Sequence, residues 1–394
     1  MSKLFPAAVW ATAFAALIAF MGIGVVDPIL GSILKAMGGT PFEVEWLFTS
    51  YIAVMALAML LSGVLATRFG ARRVMLIGLT LVVIFASLSG LAPTIGILAV
   101  VRGGWGLGNA FFTSTALSII VGASTRGMAA AITLYEAALG LGLASGPLLG
   151  GFLGNIYWRL PFFGTAMLML IALIFTFTQV KETGNKEQPR KAIDLFRALR
   201  HPAVLANSLI GLLYSFAFFT ILAYSPVTPQ LEQLGAMGTG FTFFGWGVLV
   251  GISSVFVVNW LRPLMGPVKL LTMNLLCLAI IMILAARAGS VELITLVIIS
   301  GFFCGIANAL FTTLAMEVSP FTRSISSGTY NFVRWSGAAL APIICGWIGQ
   351  TFGAQVPFWI GAIILFIGFL AMLSTRRVLE TALEMNGNAE GLHH

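Results

Sequence analysis

Apolar residues run along almost the whole chain in stretches of about 20, the length a helix needs to cross the hydrocarbon of a bilayer. Short polar segments separate them. The runs fall near residues 7–33, 46–66, 74–93, 95–122, 127–154 and 160–180, then 203–227, 240–261, 268–288, 291–318, 324–351 and 355–375. This pattern predicts an all-α integral membrane protein of twelve transmembrane helices in two sets of six. The first run is too long for a cleavable leader and has no small-residue cleavage site, so it is expected to remain as the first span. The expected organisation is a six-helix bundle over 1–180, a linker over 181–202, a second bundle over 203–378 and a tail over 379–394. The linker sets Ile193, Leu195, Phe196 and Leu199 among charges, a pattern for a short amphipathic helix acting as a tether.

Composition agrees with this reading. Hydrophobic residues make up 59% of 394 positions and charged ones 9%, more apolar than a water-soluble core requires. The net charge of +8 raises the question of a polyanionic partner, but the placement of the basic residues answers it. Arg68, Arg72, Arg73, Arg126, Arg190, Lys191, Arg262, Lys269, Arg323, Arg376 and Arg377 fall on one side of a twelve-helix weave; Lys35, Arg159 and Arg287 fall on the other. The positive-inside rule then places both termini and the linker in the cytoplasm, with no nucleic acid as partner. Cys277, Cys304 and Cys345 lie within spans as packing residues, and no histidine lies at depth. No metal-ligand spacing or cofactor motif is present, so none is expected, and a membrane enzyme lacks its nucleophile and base.

The two sets of six repeat each other at close to half the chain length. Asp27-Pro28 answers to Ser225-Pro226, Gly106-Leu107-Gly108-Asn109-Ala110 to Gly305-Ile306-Ala307-Asn308-Ala309, Thr125-Arg126 to Thr322-Arg323, and Gly146-Pro147 with Gly151 to Ala341-Pro342 with Gly346. Chance recurrence of small residues explains one such match but not four in the same order. Repeated bundles joined by a polar linker suit alternating access, in which the halves rock about a site near the midplane.

Four charges stand inside the spans: Asp27, Arg102, Glu136 and Arg334. An ionisable group there costs roughly 2.5–3.5 kcal/mol on insertion scales and marks a functional position by default. Asp27, just before Pro28, and Arg102, early in the fourth span, should lie at similar depth and pair. Two readings of the pair stand. It is a static pin between helices, or Arg102 holds Asp27 ionised until cargo or a rearrangement separates them and the acid takes up a proton. Glu136 and Arg334 should lie near mid-membrane at nearly symmetry-related places. Glu136 either faces a cavity or needs a polar neighbour such as Tyr135 or Asn109. Arg334, beside Tyr330, Asn331 and Trp335, offers a bidentate fork to an anionic group. Phe112 on the fourth span and Tyr214 on the seventh belong to aromatic runs that are either core or cavity wall, and an aromatic wall suits an amphipathic molecule. Glu43, Glu45 and Glu317, near span ends, are read as capping or solvated charges.

The motif residues resemble the major facilitator superfamily, in particular its bacterial twelve-helix drug:proton antiporter branch. After the second span the chain reads Gly63-Val64-Leu65-Ala66-Thr67-Arg68-Phe69-Gly70-Ala71-Arg72-Arg73, similar to the family's GxLaDRxGRR signature, with Thr67 where the family usually has Asp. The fourth span carries Arg102-Gly103-Gly104-Trp105-Gly106-Leu107-Gly108, similar to RxxqGxgxa, with Trp105 in place of Gln. The fifth carries Gly142 to Gly151, with Gly146-Pro147 at its centre, and resembles the exporter signature GxxxGPxxGG. The resemblance implies a role in proton coupling for Arg102, and the reading of the residues adds Asp27 and Glu136 as acids that can titrate with it. Conformational roles are implied for Gly63, Arg68, Gly70, Arg72, Gly142, Gly146, Pro147 and Gly150. On the residues alone, the fifth-span glycines either let helices pack or form a bend between halves that closes the cytoplasmic end. The Arg68–Arg73 cluster either anchors topology or also contacts neighbouring helix ends. Substrate contacts are expected at Glu136, Arg334, Asn109, Tyr214, Phe112, Tyr330 and Trp335. The expected function is proton-coupled export, by a monomer, of an amphipathic drug-like compound or an endogenous metabolite such as a metallophore. Proton-coupled uptake of a small organic nutrient is the alternative.

Overall fold

The computed structural model describes the backbone of residues 5–125, 128–181, 192–321 and 323–391, with side chains except at 41, 63, 67, 128–130, 132–133, 136, 192, 323–324, 327 and 387–391. All its regular elements among the described residues are helical, because in hydrocarbon each backbone N–H and C=O must be satisfied within the chain. Twelve helical stretches are long and apolar enough to span a membrane, as the apolar runs predict.

The first span is α1 (Ala7–Gly24), a 3-10 turn (Asp27–Ile29) and α2 (Leu30–Met37). Then follow α3 (Pro41–Phe69), α4 (Ala71–Leu91), α5 (Ile95–Ala123), α6 (Met128–Ile156) and α7 (Leu160–Gln179), which complete six spans. The linker forms α8 (Ala192–Ala198). The seventh span joins α9 (Pro202–Phe219) to a π-turn (Thr220–Tyr224) and a 3-10 turn (Ser225–Val227), followed by the short α10 (Pro229–Glu232). The eighth joins α11 (Gly235–Ile252), a π-turn (Ser253–Val257) and α12 (Val258–Met265); α13 (Pro267–Ala285), α14 (Ser290–Glu317), α15 (Arg323–Phe352) and α16 (Val356–Gly391) complete the chain.

Local chemistry sets several boundaries. Thr40 and Glu43 form a reciprocal capping box at the start of α3, with Thr40 N–H donating to Glu43 at 2.7 Å and Glu43 N–H to the Thr40 hydroxyl at 3.3 Å. Gly70, at φ 90°, makes the tight turn from α3 into α4, and Gly266, at φ 74°, makes its counterpart from α12 into α13. The repeat also shows at Asp27-Pro28 and Ser225-Pro226, which both form 3-10 turns.

Each half packs mainly within itself: α5 lies against α3 and α4, and α6 and α7 against α1, while α15 and α16 lie against α9, and α14 against α11 and α13. Two broad seams join the halves, α6 with α11 and α3 with α15. The first seam is lined by small residues, so that backbones touch: Gly140 faces Gly251, Ala144 faces Gly247, and Gly151 faces Ala236 and Gly240. In the second, the Thr49 hydroxyl donates to Ala339 O at 3.1 Å, and Gly346 lies against Glu45. The end of the bundle with Arg68, Arg72, Arg262 and Arg377 is its basic end. At the opposite end the halves are also joined by Lys35 and Glu232, 3.5 Å apart and exposed, a contact worth little in energy.

Two elements differ from expectation. The last helix does not stop near 375 but continues to Gly391, buries Leu379, and uses Asn386 to donate to Glu317 O at 2.8 Å. The linker helix is short, as expected, yet it is more than a tether. It docks on α15, with Thr329 donating to Leu195 O at 3.2 Å and Phe196 edge-on to Phe332 at 5.9 Å.

Candidate functional site

Pro28 lacks an N–H, so α1 cannot continue through it and breaks at the 3-10 turn that holds Asp27. The Asp27 carboxyl is 1% exposed, and neither oxygen has a hydrogen-bond partner among the described residues. Gly24 makes room here, since a Cβ on it would stand 3.0 Å from the Pro147 ring and 3.5 Å from Asp27 Oδ2.

Arg102, fully buried on α5, lies within electrostatic reach of Asp27. The direct pair expected from the sequence is not formed, because no ion pair joins them among the described residues. The guanidinium instead caps the end of α1, donating from Nη1 to Gly22 O at 3.3 Å and from Nε to Leu47 O at 3.5 Å. It lies over the rings of Tyr51 (4.6 Å) and Trp105 (4.7 Å). Gly22 is among the last carbonyls of α1 and has no continuing helix to accept from, which explains the turn of the fork away from the acid.

Glu45, which the sequence reading placed among capping or solvated charges, lies within electrostatic reach of Asp27. Only Glu43 caps. Glu45 is fully buried, its two oxygens lack hydrogen-bond partners among the described residues, and it presses on Gly346 of the other half. Helical phase was the available signal: two positions beyond Glu43 is about 200° around the helix, so the two acids cannot share a solvated face. Glu317, half-buried at the end of α14, pairs with Arg262 at 2.5 Å and 2.7 Å.

Of the residues expected to contact substrate, Asn109, Phe112, Tyr214, Tyr330 and Trp335 are buried. Asn109 is buried and its amide donates to the Tyr51 hydroxyl at 2.5 Å, while Phe112 is buried beside Gly78 of α4. In the second half the Arg334 fork donates to Asn308 Oδ1 at 2.6 Å and to the Ser215 hydroxyl at 3.3 Å. The Tyr214 hydroxyl donates to the same Asn308 oxygen at 3.1 Å and to Cys304 O at 2.9 Å. Tyr330 and Trp335 lie under the guanidinium at 5.8 Å and 5.5 Å. Arg334 is half-buried and has no carboxylate at ion-pair distance among the described residues. Asn308, which the sequence marked only through the repeat, is the hub of this network. The side chain of Glu136 lies outside the described residues, as do those of Gly63 and Thr67.

The motif glycines divide between two faces of α6. Gly142, Gly146 and Gly150 meet the carbonyls of Leu17, Met21 and Val25 on α1, inside their own half. The contact with the other half uses Gly140, Ala144, Gly151 and the carbonyl of Pro147, which faces Gly240. The expectation that Gly142, Gly146 and Gly150 lie between the halves is therefore corrected. The seam beyond Pro147 closes toward the end opposite the basic one, not toward the basic end. In the basic-end turn, Arg68 is exposed, and Arg72 donates to Val180 O at 2.5 Å and Phe177 O at 2.9 Å at the end of α7.

A family model described as Major Facilitator Superfamily matches residues 12–342. The chain belongs to the Major Facilitator Superfamily. Among curated relatives, the multidrug efflux protein YfmO of Bacillus subtilis (strain 168) is 43% identical over 95% of this chain and 94% of its own length. Multidrug resistance protein 1 of the same organism is 24% identical over 89% of this chain and 92% of its own. The fold is shared with a D-xylose-proton symporter, at a TM-score of 0.78 and 14% identity, covering 93% of this chain and 96% of that one. As a superfamily member the chain is a multi-pass membrane transporter of small molecules.

Proposed function

We propose that this transporter is a proton-coupled exporter of amphipathic small molecules, working as a monomer in the bacterial inner membrane with its basic end and both termini in the cytoplasm. The supporting observation is Asp27: a buried, unpartnered carboxyl at a break in the first span, next to a buried arginine. Such an acid changes its hold on a proton when the halves rock and water reaches it. Arg102, committed to the end of α1, supplies a fixed positive potential. The relatives' names support export over uptake, and the Arg334–Asn308–Tyr214 network supplies a polar anchor for cargo in the other half. The cargo class spans drug-like compounds and endogenous metabolites such as a metallophore. No nucleophile, metal or cofactor is assigned a role, and the reading is transport without chemistry on the cargo.

In everted vesicles with an acidic lumen, wild type should load a fluorescent amphipathic dye into the lumen, and Asp27→Asn should abolish that loading while the purified protein keeps its melting temperature. Unchanged pH-driven loading by Asp27→Asn would remove Asp27 as the carrier.

A further inference from the structure

Glu45 is the buried acid that the export scheme does not use. The groups within its electrostatic reach or in contact with it come from three elements. Asp27 of the first span, Tyr224 of the seventh and Cys345 of α15 lie within its electrostatic reach, and Gly346 of α15 packs against its side chain. None of these donates a hydrogen bond to it, and both Glu45 oxygens lack a partner among the described residues. Asp27 is itself an acid, the Tyr224 hydroxyl is committed to Ala354 O at 3.1 Å, and Cys345 shares a hydrogen bond with Thr220 at 3.3 Å. Arg102, the cation of this cluster, is turned to the carbonyls of Gly22 and Leu47.

A bare carboxylate in such a place pays a penalty of several kcal/mol, so it takes up a proton instead. Location adds a second constraint. Glu45 lies in the seam between α3 and α15, near the end opposite the basic one, where surfaces must part when the halves rock. Once they part, water solvates the carboxylate and the penalty disappears.

We propose that Glu45 is a proton-binding site of the gate at that end: its carboxyl holds a proton while α3 and α15 are closed, and opening releases that proton to the entering water. The proton boards and leaves on the same side, so it differs from the one carried by Asp27 and does not enter the transport stoichiometry. The inference rests on the alternating-access reading and adds to it that acid outside the cell favours the closed gate. The linkage is of one proton, so the closed-to-open ratio falls about tenfold per pH unit over the interval in which the closed form is protonated and the open form is not.

The test uses full-length protein in phosphatidylethanolamine–phosphatidylglycerol nanodiscs, with the three cysteines replaced by alanine. Nitroxides are placed at Ala36→Cys and Gln355→Cys, exposed positions on the two halves at this end. Electron–electron distances are titrated from acid to alkaline pH. Wild type should lengthen as pH rises, Glu45→Gln should stay short throughout, Glu45→Asp should keep the pH dependence, and Asp27→Asn should shift its midpoint without flattening it. A flat wild-type titration, or Glu45→Gln tracking wild type, overturns the proposal. Infrared spectroscopy checks it independently: the neutral carboxyl band of closed wild type should lose intensity in Glu45→Gln, and an unchanged spectrum counts against it. Pumping that survives Asp27→Asn would refute the export scheme while leaving this titration intact, and a flat titration beside intact pumping would remove Glu45 alone.

Discussion

Two glycines that look alike in the sequence should respond to the same substitution in different ways. A Cβ added at Gly146 would stand 2.5 Å from Met21 O and 3.2 Å from Met21 C, both in its own half. One added at Gly240 would stand 2.7 Å from Pro147 O and 3.1 Å from Gly151 Cα, both in the other half. Either crowding costs about 1–3 kcal/mol, as overpacking does. For Gly146→Ala the strained contact exists in every conformation, and about 1 kcal/mol of helix propensity offsets it. A net loss of up to about 2 kcal/mol should lower the melting temperature. For Gly240→Ala the strain exists only while the seam is closed, and opening relieves it. The same 1–3 kcal/mol then appears as a shift of about 5–150-fold toward the open form, with the melting temperature nearly unchanged. Cys345 reports the difference. It is 1% exposed and lies on α15 beside the other seam, with α3, which parts in the same rocking motion, so in a Cys277→Ala, Cys304→Ala background its maleimide labelling should accelerate in Gly240→Ala and stay slow in Gly146→Ala. If both variants melt early by the same amount and neither labels faster, the division of α6 into an internal face and a seam face is wrong.

Arg334→Lys keeps the charge but loses the fork that holds Asn308 and Ser215; one charge-assisted bond of about 1.5–3 kcal/mol makes export of carboxylate-bearing dyes fall at least about tenfold relative to cationic dyes. Equal loss for both dye classes would make the residue structural. Arg72→Ala gives up two hydrogen bonds to the end of α7 and a stack on Phe177 at 5.4 Å, so thermal unfolding in detergent should register about 1–3 kcal/mol of lost stability, and an unshifted melt would deny that these contacts hold the turn. Glu136→Gln should change the ranking of cationic, neutral and anionic dyes in vesicle loading; the wild-type ranking would assign Glu136 to packing.

The span count was legible because a run of about 20 apolar residues has few other uses. The end of α16 was not, because hydropathy measures the bilayer and not the helix: Arg376 and Glu380, paired at 2.8 Å one turn apart, carry the helix onward after the apolar signal ends. The π-turns at Thr220–Tyr224 and Ser253–Val257 insert one residue per turn without changing composition, so no apolar pattern reveals them. The chemistry-bearing residue types were visible, but their facing was not. Asn109 and Phe112 point into their own half, and Glu45 points across the seam. The glycines of α6 form two stripes on one helix, and one stripe cannot be assigned to a partner until the partner's own small residues are in place.

The duplication that built the frame did not duplicate its charges. At the repeat spacing Asp27 answers to Ser225, whose hydroxyl is satisfied within its own helix by Ile221 O at 2.5 Å; Arg102 answers to Gly301, which presses on the Trp246 backbone, and Glu45 to Phe244. The second half therefore keeps the break in its helix and the small-residue contacts while holding none of the three buried ionisable groups. At the place corresponding to Glu136 it carries Arg334 instead. A pseudo-symmetric hinge needs matching backbones, and both halves supply them. A directional cycle needs the halves to respond differently to protonation, and that difference lies in which half keeps a carboxyl away from water. Exchanging the pair, with Asp27→Ser and Ser225→Asp in one chain, should move the pH response to the second half without moving either 3-10 turn. Pumping at the wild-type rate by that double variant would show that Arg102, left behind in the first half, contributes nothing to coupling.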